Sequence, residues 1–245
     1  MLCRHIALRP CVEELRSHRA DMKSLFIIFL LAVGCGVAVG VIREYIYVNT
    51  EKNWTDAKLY CQNYYRDLAN VTSMEENNHL MASGPGSGWI GLRRGYVLYF
   101  TNWCSTCPNL DANCIYTSES GLWNSDYCKF LKNFYCDRFL CLVTEKKTWE
   151  EARDFCRTNY TGLSSAISET SVRQLNLVTV GTENLWIGLH FMNGQWLWVN
   201  GKPLGSPVSM PSCPAQSYRC GALNTATNTL QIMNCNERLS FICYY

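Results

Sequence analysis

The tetrapeptide Trp-Ile-Gly-Leu occurs twice, at Trp89–Leu92 and at Trp186–Leu189, and this duplication constrains the fold of the 245-residue chain more than any other feature. Self-similarity at a fixed offset means that one structural unit has been written more than once. A shift of 95 places Trp54 on Trp149, Ala57 on Ala152, Cys61 on Cys156, Tyr65 on Tyr160 and Leu68 on Leu163. The offset grows to 97 at the tetrapeptide, then to 106–107 where Cys114, Cys128 and Cys136 meet Cys220, Cys235 and Cys243. The first copy is therefore about ten residues shorter, and the boundaries expected are 1–40 for an N-terminal segment, 41–138 for the first domain and 139–245 for the second.

Each copy repeats the same local pattern. Tyr45-Ile46-Tyr47-Val48 and Leu140-Cys141-Leu142-Val143 have strand character. A helix follows, because Trp54, Ala57, Tyr60, Cys61 and Tyr64 recur at helical spacing, as do Trp149, Ala152, Phe155 and Cys156. Thr148 with Glu151 reads as a capping box, and Ser73 with Glu76 predicts the same start for a further helix through Leu80. After each tetrapeptide come short apolar runs, Gly, Pro, Asn and closely spaced cysteines. Such a region holds too small a core to order long loops without covalent staples.

The N-terminal segment reads differently. Ser24 to Ile42 is a run of 19 uncharged residues between Lys23 and Arg43. At about 1.5 Å per helical residue, such a run reaches across a bilayer core of about 30 Å. It reads either as a signal anchor behind a basic cytoplasmic tail or as a cleaved signal ending at Ala38-Val39-Gly40. Three of the 15 cysteines precede that cut and twelve follow it, an even set that suits a secreted, fully paired chain but is equally compatible with the anchor. The small-residue cleavage pattern favours secretion, and a single-pass type II membrane protein is the alternative. Both place the rest outside the cell, where Asn53, Asn70 and Asn159 open glycosylation sequons. From Val41 onward 17 basic residues balance 17 acidic ones with no basic stripe, which excludes a nucleic-acid ligand.

The helix pattern Trp-x-x-Ala-x-x-x-Cys, the tetrapeptide, two loop cysteines and a terminal Phe134-Tyr135-Cys136 or Phe241-Ile242-Cys243 together resemble the C-type lectin-like domain, twice over. The resemblance implies an α+β chain of two tandem C-type lectin-like folds. Each would have two helices, small antiparallel sheets and a long disulfide-stapled loop region, and an apolar N-terminal helix would precede them. It also implies the bridges Cys61 with Cys136, Cys114 with Cys128, Cys156 with Cys243 and Cys220 with Cys235. Cys104, Cys107, Cys141 and Cys213 are left over. Pairing Cys104 with Cys107 and Cys141 with Cys213 keeps each pair within one domain, while a buried thiol at Cys141 is the other reading.

Sugar-binding members of that family hold calcium with a Glu-Pro-Asn or Gln-Pro-Asp triplet and a Trp-Asn-Asp placed five residues before a cysteine. Calcium asks for six to eight oxygen ligands, several of them carboxylates. Here Cys107-Pro108-Asn109 takes the place of the triplet, and sulfur is a poor ligand for calcium. Trp123-Asn124 is followed by Ser125, with Asp126 one position late. Asn109, Asn124 and Asp126, with Asp111 beside them, are the candidate ligand-binding residues of a depleted site. The second domain offers Leu230, Gln231 and Ile232 at the matching positions. No metal or other cofactor is expected, calcium in the first domain being the exception to test.

An enzyme is not expected. After residue 41 the chain has only His79 and His190, with no nucleophile motif or zinc spacing beside them. Gln195 to Val199 alternates like a half-buried strand, which makes Trp196 and Trp198 core residues rather than an aromatic ligand patch with His190 and Phe191. The expectation is an extracellular recognition protein of the lectin class that binds a glycan, with an extracellular protein ligand as the alternative. Membrane contact would come only through the N-terminal segment.

Overall fold

The computed structural model of the chain describes residues 39–95, 100–109, 111–165, 169–178, 184–204 and 210–245. Most of the N-terminal apolar run, and with it the expected N-terminal helix, lies outside the described residues. Its last four residues, Val39 to Ile42, belong to a strand. Among the described residues no helix is long and apolar enough to cross a membrane. Two compact units are present, built mainly on Ile42–Leu140 and on Cys141–Tyr244.

In the first unit, β1 (Val39–Lys52) leads into α1 (Trp54–Tyr64), and Asn53 Oδ1 accepts from the Asp56 amide at 2.9 Å to cap it. This cap satisfies one of the amides that every helix start leaves unpaired. Trp54, Ala57 and Cys61 form the buried stripe of α1. Then come β2 (Asp67–Leu68), α2 (Met74–Ala82), β3 (Gly88–Arg93), β4 (Cys114–Thr117), β5 (Trp123–Asp126) and β6 (Lys132–Lys147). The sheet runs β6-β3-β4-β5, and β1 and β2 also pair with β6.

Ser73 caps α2 as its sequence predicts, but the capping box is not reciprocal. The Glu76 carboxylate turns to the Thr72 amide and hydroxyl, both at 2.7 Å, and to Arg43 at 2.8 Å. A long-range guanidinium competes successfully for a side chain that local grammar assigned to the cap.

The second unit contains α3 (Trp149–Asn159), β7 (Gly162–Leu163), β8 (Asn184–Met192), β9 (Gln195–Trp198), β10 (Cys220–Asn224), β11 (Thr229–Met233) and β12 (Leu239–Tyr244). Here the capping box closes in both directions between Thr148 and Glu151. The strand order is β11-β10-β8-β12, with β9 added to β8 and β7 to β12. Asn193 and Gly194 both take positive φ, 52° and 81°, which gives the tight turn of the β8–β9 hairpin the twist its strands require.

The duplicated tetrapeptide does the same work in both units. The Trp54 indole donates to Ile90 O at 2.9 Å, and the Trp149 indole to Ile187 O at 2.8 Å. In return Trp89 donates to Lys52 O at 3.0 Å, and Trp186 to Lys147 O at 2.9 Å. Trp89 pairs in parallel with Phe134, and Trp186 with Phe241. The glycine is demanded by close approach, since a Cβ on Gly91 would stand 2.5 Å from Leu68 O and one on Gly188 2.9 Å from Leu163 O. Indole burial and paired donors explain why these tryptophans are core residues.

Disulfides join Cys61 to Cys136, Cys114 to Cys128, Cys156 to Cys243, Cys220 to Cys235 and Cys104 to Cys107. Cys141 and Cys213 are not joined to each other; both keep their thiols, Cys141 buried and Cys213 exposed. Cys141 sits in β6 with 1% exposure, whereas Cys213 lies in an exposed stretch outside the strands.

Candidate functional site

The candidate site is the outer edge of β5 and the segment lying along it. Trp123 anchors β5: it is fully buried, and its indole donates to Asn77 Oδ1 at 2.9 Å. Asn77 and Asn102 both donate to Gly121 O, at 3.2 and 2.9 Å, and so fix the turn before the strand. The Trp123 amide donates to Asn102 O at 2.7 Å, and the Cys104 amide donates to Trp123 O at 3.0 Å. The segment 102–109 therefore runs beside β5, folded back on itself by the Cys104–Cys107 bridge.

The sequence candidates fall into two groups. Asn124 meets this stapled segment, and Asn109 ends it. Asn124 Oδ1 lies 2.9 Å from Cys107 Sγ, a sulfur–oxygen contact, because a bridged sulfur has no proton to give. Asn109 O accepts from Ser125 Oγ at 3.2 Å, and Asn109 Oδ1 accepts from the Asp111 amide at 3.1 Å.

Asp126 is tied elsewhere. One oxygen pairs with Lys132 Nζ at 2.8 Å, and the other accepts from the Tyr127 amide at 2.8 Å. Alternation along β5 puts Asn124 and Asp126 on one face and Trp123 and Ser125 on the other, so the one-residue displacement of the carboxylate changes its direction.

Lys132 is the residue that sequence reading missed. Its ammonium lies 4.2 Å from the centre of the Tyr116 ring and 5.3 Å from that of Trp89 while it holds Asp126. A carboxylate and two aromatic faces are the usual company of a bound cation. Here the cation is part of the chain. The only available signal was an acid and a lysine flanking a turn, too common to single out.

In the second unit Leu230, Gln231 and Ile232 lie half-buried in β11, paired with Leu223, Ala222 and Gly221. Among the described residues one His/Cys/Asp/Glu group has metal-like spacing, His190 with Cys220 and Cys235. Both sulfurs are consumed in a disulfide, so neither can serve as a thiolate ligand. His190 stacks on Trp149 at 4.7 Å, and its pKa is lowered by burial first and by Arg153 next. Trp196 and Phe191 are buried and Trp198 is half-buried. His79 is half-buried on α2. Of the sequons, Asn53 caps α1, Asn70 is half-buried after β2, and the Asn159 amide donates to Phe155 O at 2.9 Å.

A second cluster, also unforeseen, lies in the interior of the first unit. Asp137 is fully buried, 3.8 Å from Arg43 Nε and 3.6 Å from an Arg66 nitrogen. Burial pushes its carboxyl up to about 6 against the pull of the two arginines. The Phe139 ring lies 5.1 Å from the Arg43 guanidinium and 4.7 Å from that of Arg66. Beside it Arg138 Nε donates to Glu44 at 2.6 Å, with the two side chains 8% and 2% exposed.

Two disulfide-stapled α+β units are thus built on one plan, with the same indole clamp and the same pair of long-range bridges in each. The family profile described as the Lectin C-type domain matches residues 50–138 and 145–245, and the chain belongs to that family. It is 28% identical over 123 residues to the natural killer cells antigen CD94 of Canis lupus familiaris, covering 49% of this chain and 66% of that one. It is 24% identical to the secretory phospholipase A2 receptor of Mus musculus over an alignment covering 81% of this chain and 17% of the receptor. C-type lectin domain family 2 member D of Homo sapiens is 34% identical over 91 residues, covering 34% of this chain and 48% of that protein. The chain thus spans less than two thirds of each of these relatives. Among solved structures, the carbohydrate-recognition domain of cow CD23 matches at a TM-score of 0.36 and 29% identity, covering 39% of this chain and 86% of that one. A calcium-independent type II antifreeze protein matches at 0.37 and 23%, covering 42% and 90%.

Proposed function

We propose that residues 41–138 and 139–245 are two extracellular recognition domains and that the first binds its ligand without calcium. The observation that carries this reading is the commitment of the candidate donors to the chain itself. Asp126 is paired with Lys132, Asn124 Oδ1 rests on the Cys107 sulfur, and Asn109 accepts from the Asp111 amide and the Ser125 hydroxyl. A calcium ion would have to displace the Lys132 ammonium and then find most of its ligands elsewhere. Sugar recognition through calcium would need those same oxygens, so a protein ligand is the reading supported best. A glycan held by a metal-free surface is the second reading.

Five bridges are consistent with an oxidising compartment and therefore with export, by cleavage of the N-terminal segment or with that segment kept as an anchor. On this reading Asn53, Asn70 and Asn159 are the glycan acceptors. The test is a glycan array probed with the purified chain in calcium and again in chelator. Silence in both conditions from disulfide-intact protein supports a protein ligand. Binding that ignores chelator supports the metal-free glycan surface, and binding that vanishes in chelator overturns the calcium-independent reading.

A further inference from the structure

Five disulfides are present, and four of them share a property that the fifth lacks. Each of the bridges Cys61–Cys136, Cys114–Cys128, Cys156–Cys243 and Cys220–Cys235 contains at least one cysteine no more than 1% exposed. Cys104 and Cys107 are both half-exposed, and Ser105 and Thr106 between them are exposed. Thiol–disulfide exchange requires an attacking thiolate to reach a bridged sulfur; both sulfurs of this pair are half-exposed, against one each in Cys114–Cys128 and Cys220–Cys235 and neither in the other two bridges, so access favours this pair.

The consequences of opening also differ. Cys104 and Cys107 are three positions apart, whereas the other bridges span 14, 15, 75 and 87. A bridge closing so short a loop removes little freedom from the unfolded chain, so the fold loses little when it opens. The pair does hold something specific. It folds segment 102–109 back along β5, where the Cys104 amide bonds Trp123 O and Cys107 Sγ rests on Asn124 Oδ1.

We propose that the Cys104–Cys107 bridge is a reversible redox clasp, opened in the folded protein by an extracellular dithiol, whose opening loosens segment 102–109 from the candidate recognition edge of β5. In the first step a thiolate of the dithiol attacks Cys107 Sγ. A mixed disulfide forms, the Cys104–Cys107 bond breaks, and its electron pair leaves on Cys104 Sγ. Thr106 Oγ1 lies 3.7 Å from that sulfur and can donate to the departing thiolate. In the second step the other thiol of the reductant, deprotonated, attacks its own mixed-disulfide sulfur. Cys107 thiolate is released, both cysteines take up protons, and the dithiol leaves as a cyclic disulfide. The protein bridge is reduced by two electrons and the dithiol is oxidised by two. The chemistry stands on its own, while its relevance to ligand contact rests on the recognition role proposed above.

The test uses the natively folded full chain with dithiothreitol as the dithiol probe, graded in concentration. Newly released thiols are alkylated and assigned by peptide mass spectrometry, and near-ultraviolet circular dichroism follows the fold. Cys213 should label before any reductant is added and serves as the internal standard. The expected result is alkylation of Cys104 and Cys107 at a dithiol concentration at least tenfold below that needed for any other bridge, with the dichroism unchanged. Hydrogen exchange should quicken at the Cys104 amide and not in β4. Reduction of this pair only together with another bridge, or only as the fold is lost, overturns the proposal. So does selective reduction without faster exchange at Cys104. None of these readouts needs a ligand, so they separate failure of the clasp from failure of the recognition reading. A Cys104→Ser/Cys107→Ser variant should fold and reproduce the faster exchange without reductant.

Discussion

Replacing Arg138 by methionine should destabilise the first unit far more than removing one surface charge would. Arg138 lies on β6 and Glu44 on β1, joined at 2.6 Å with side chains 8% and 2% exposed, so neither charge has much access to water. Loss of Arg138 leaves the buried Glu44 carboxylate without its 2.6 Å ion pair, at a cost of about 3–5 kcal/mol. For a domain of this size that corresponds to a fall in Tm of at least about 12 °C. An exposed pair such as Arg238–Glu151, with side chains 58% and 49% exposed, should show no resolvable loss in the same experiment. The physics makes a second demand: Glu44→Leu combined with Arg138→Met removes both charges and should return to within about 1 kcal/mol of the parent or exceed it. The assay is urea denaturation with disulfides intact, comparing midpoints at an unchanged slope, and following hydrogen exchange in β6 to localise the transition. An Arg138→Met cost below about 1 kcal/mol, or a double variant no more stable than the single, would refute the reasoning.

Three further outcomes can be checked. Asp137 has its carboxyl raised to about 6 from 3.8, so its contribution to stability is complete at low pH and is lost as pH rises through 6. Asp137→Asn should remove that slope between about pH 4 and 6.5; an unchanged slope in thermal melts would count against it. Gly91→Ala should cost about 3 kcal/mol by driving a methyl to 2.5 Å from Leu68 O, whereas Gly194→Ala, with nothing within 4 Å, should cost only its positive-φ strain of about 1 kcal/mol. Equal losses in a thermal melt would refute the collision argument for Gly91. Maleimide should label Cys213 in the native chain and Cys141 only in denaturant, because the first is exposed and the second is 1% exposed in β6; rapid native labelling of Cys141 would contradict the packing described.

The fold was legible because its signals are local and occur twice. Trp54 and Cys61 share one face of their helix, the tetrapeptide marks a strand, and Ser73 and Thr148 announce the starts of two helices. What escaped notice depends on residues that only folding brings together. Arg43, Arg66, Glu76 and Asp137 are spread over 94 positions, and no periodicity links them. Their mutual attraction is also what draws Glu76 away from the reciprocal capping box. At the candidate site the depleted oxygen set could be read from Cys107 and Ser125, since chemistry at single positions is visible in a sequence. The placement of Lys132 between Asp126 and two aromatic faces could not, because it depends on the pairing of β4 with β5 and on the turn that follows. Val39 to Ile42 illustrates the converse: an apolar run carries no periodicity to separate strand from helix, and there the sheet decided.

The four indole bonds of the duplicated tetrapeptide have a bearing on how such a chain can change. Each joins the tetrapeptide strand to the first helix or to the residues just before it, so the clamp closes before the long loop begins. Loop length then becomes a free variable. The second copy carries about ten more residues than the first between its tetrapeptide and its first loop cysteine, yet Trp186 meets Phe241 in the same parallel pairing by which Trp89 meets Phe134. A gene holding two such frames can rewrite the loops of one copy while the other keeps its specificity, and exchange of whole loops between the copies needs only matching ends.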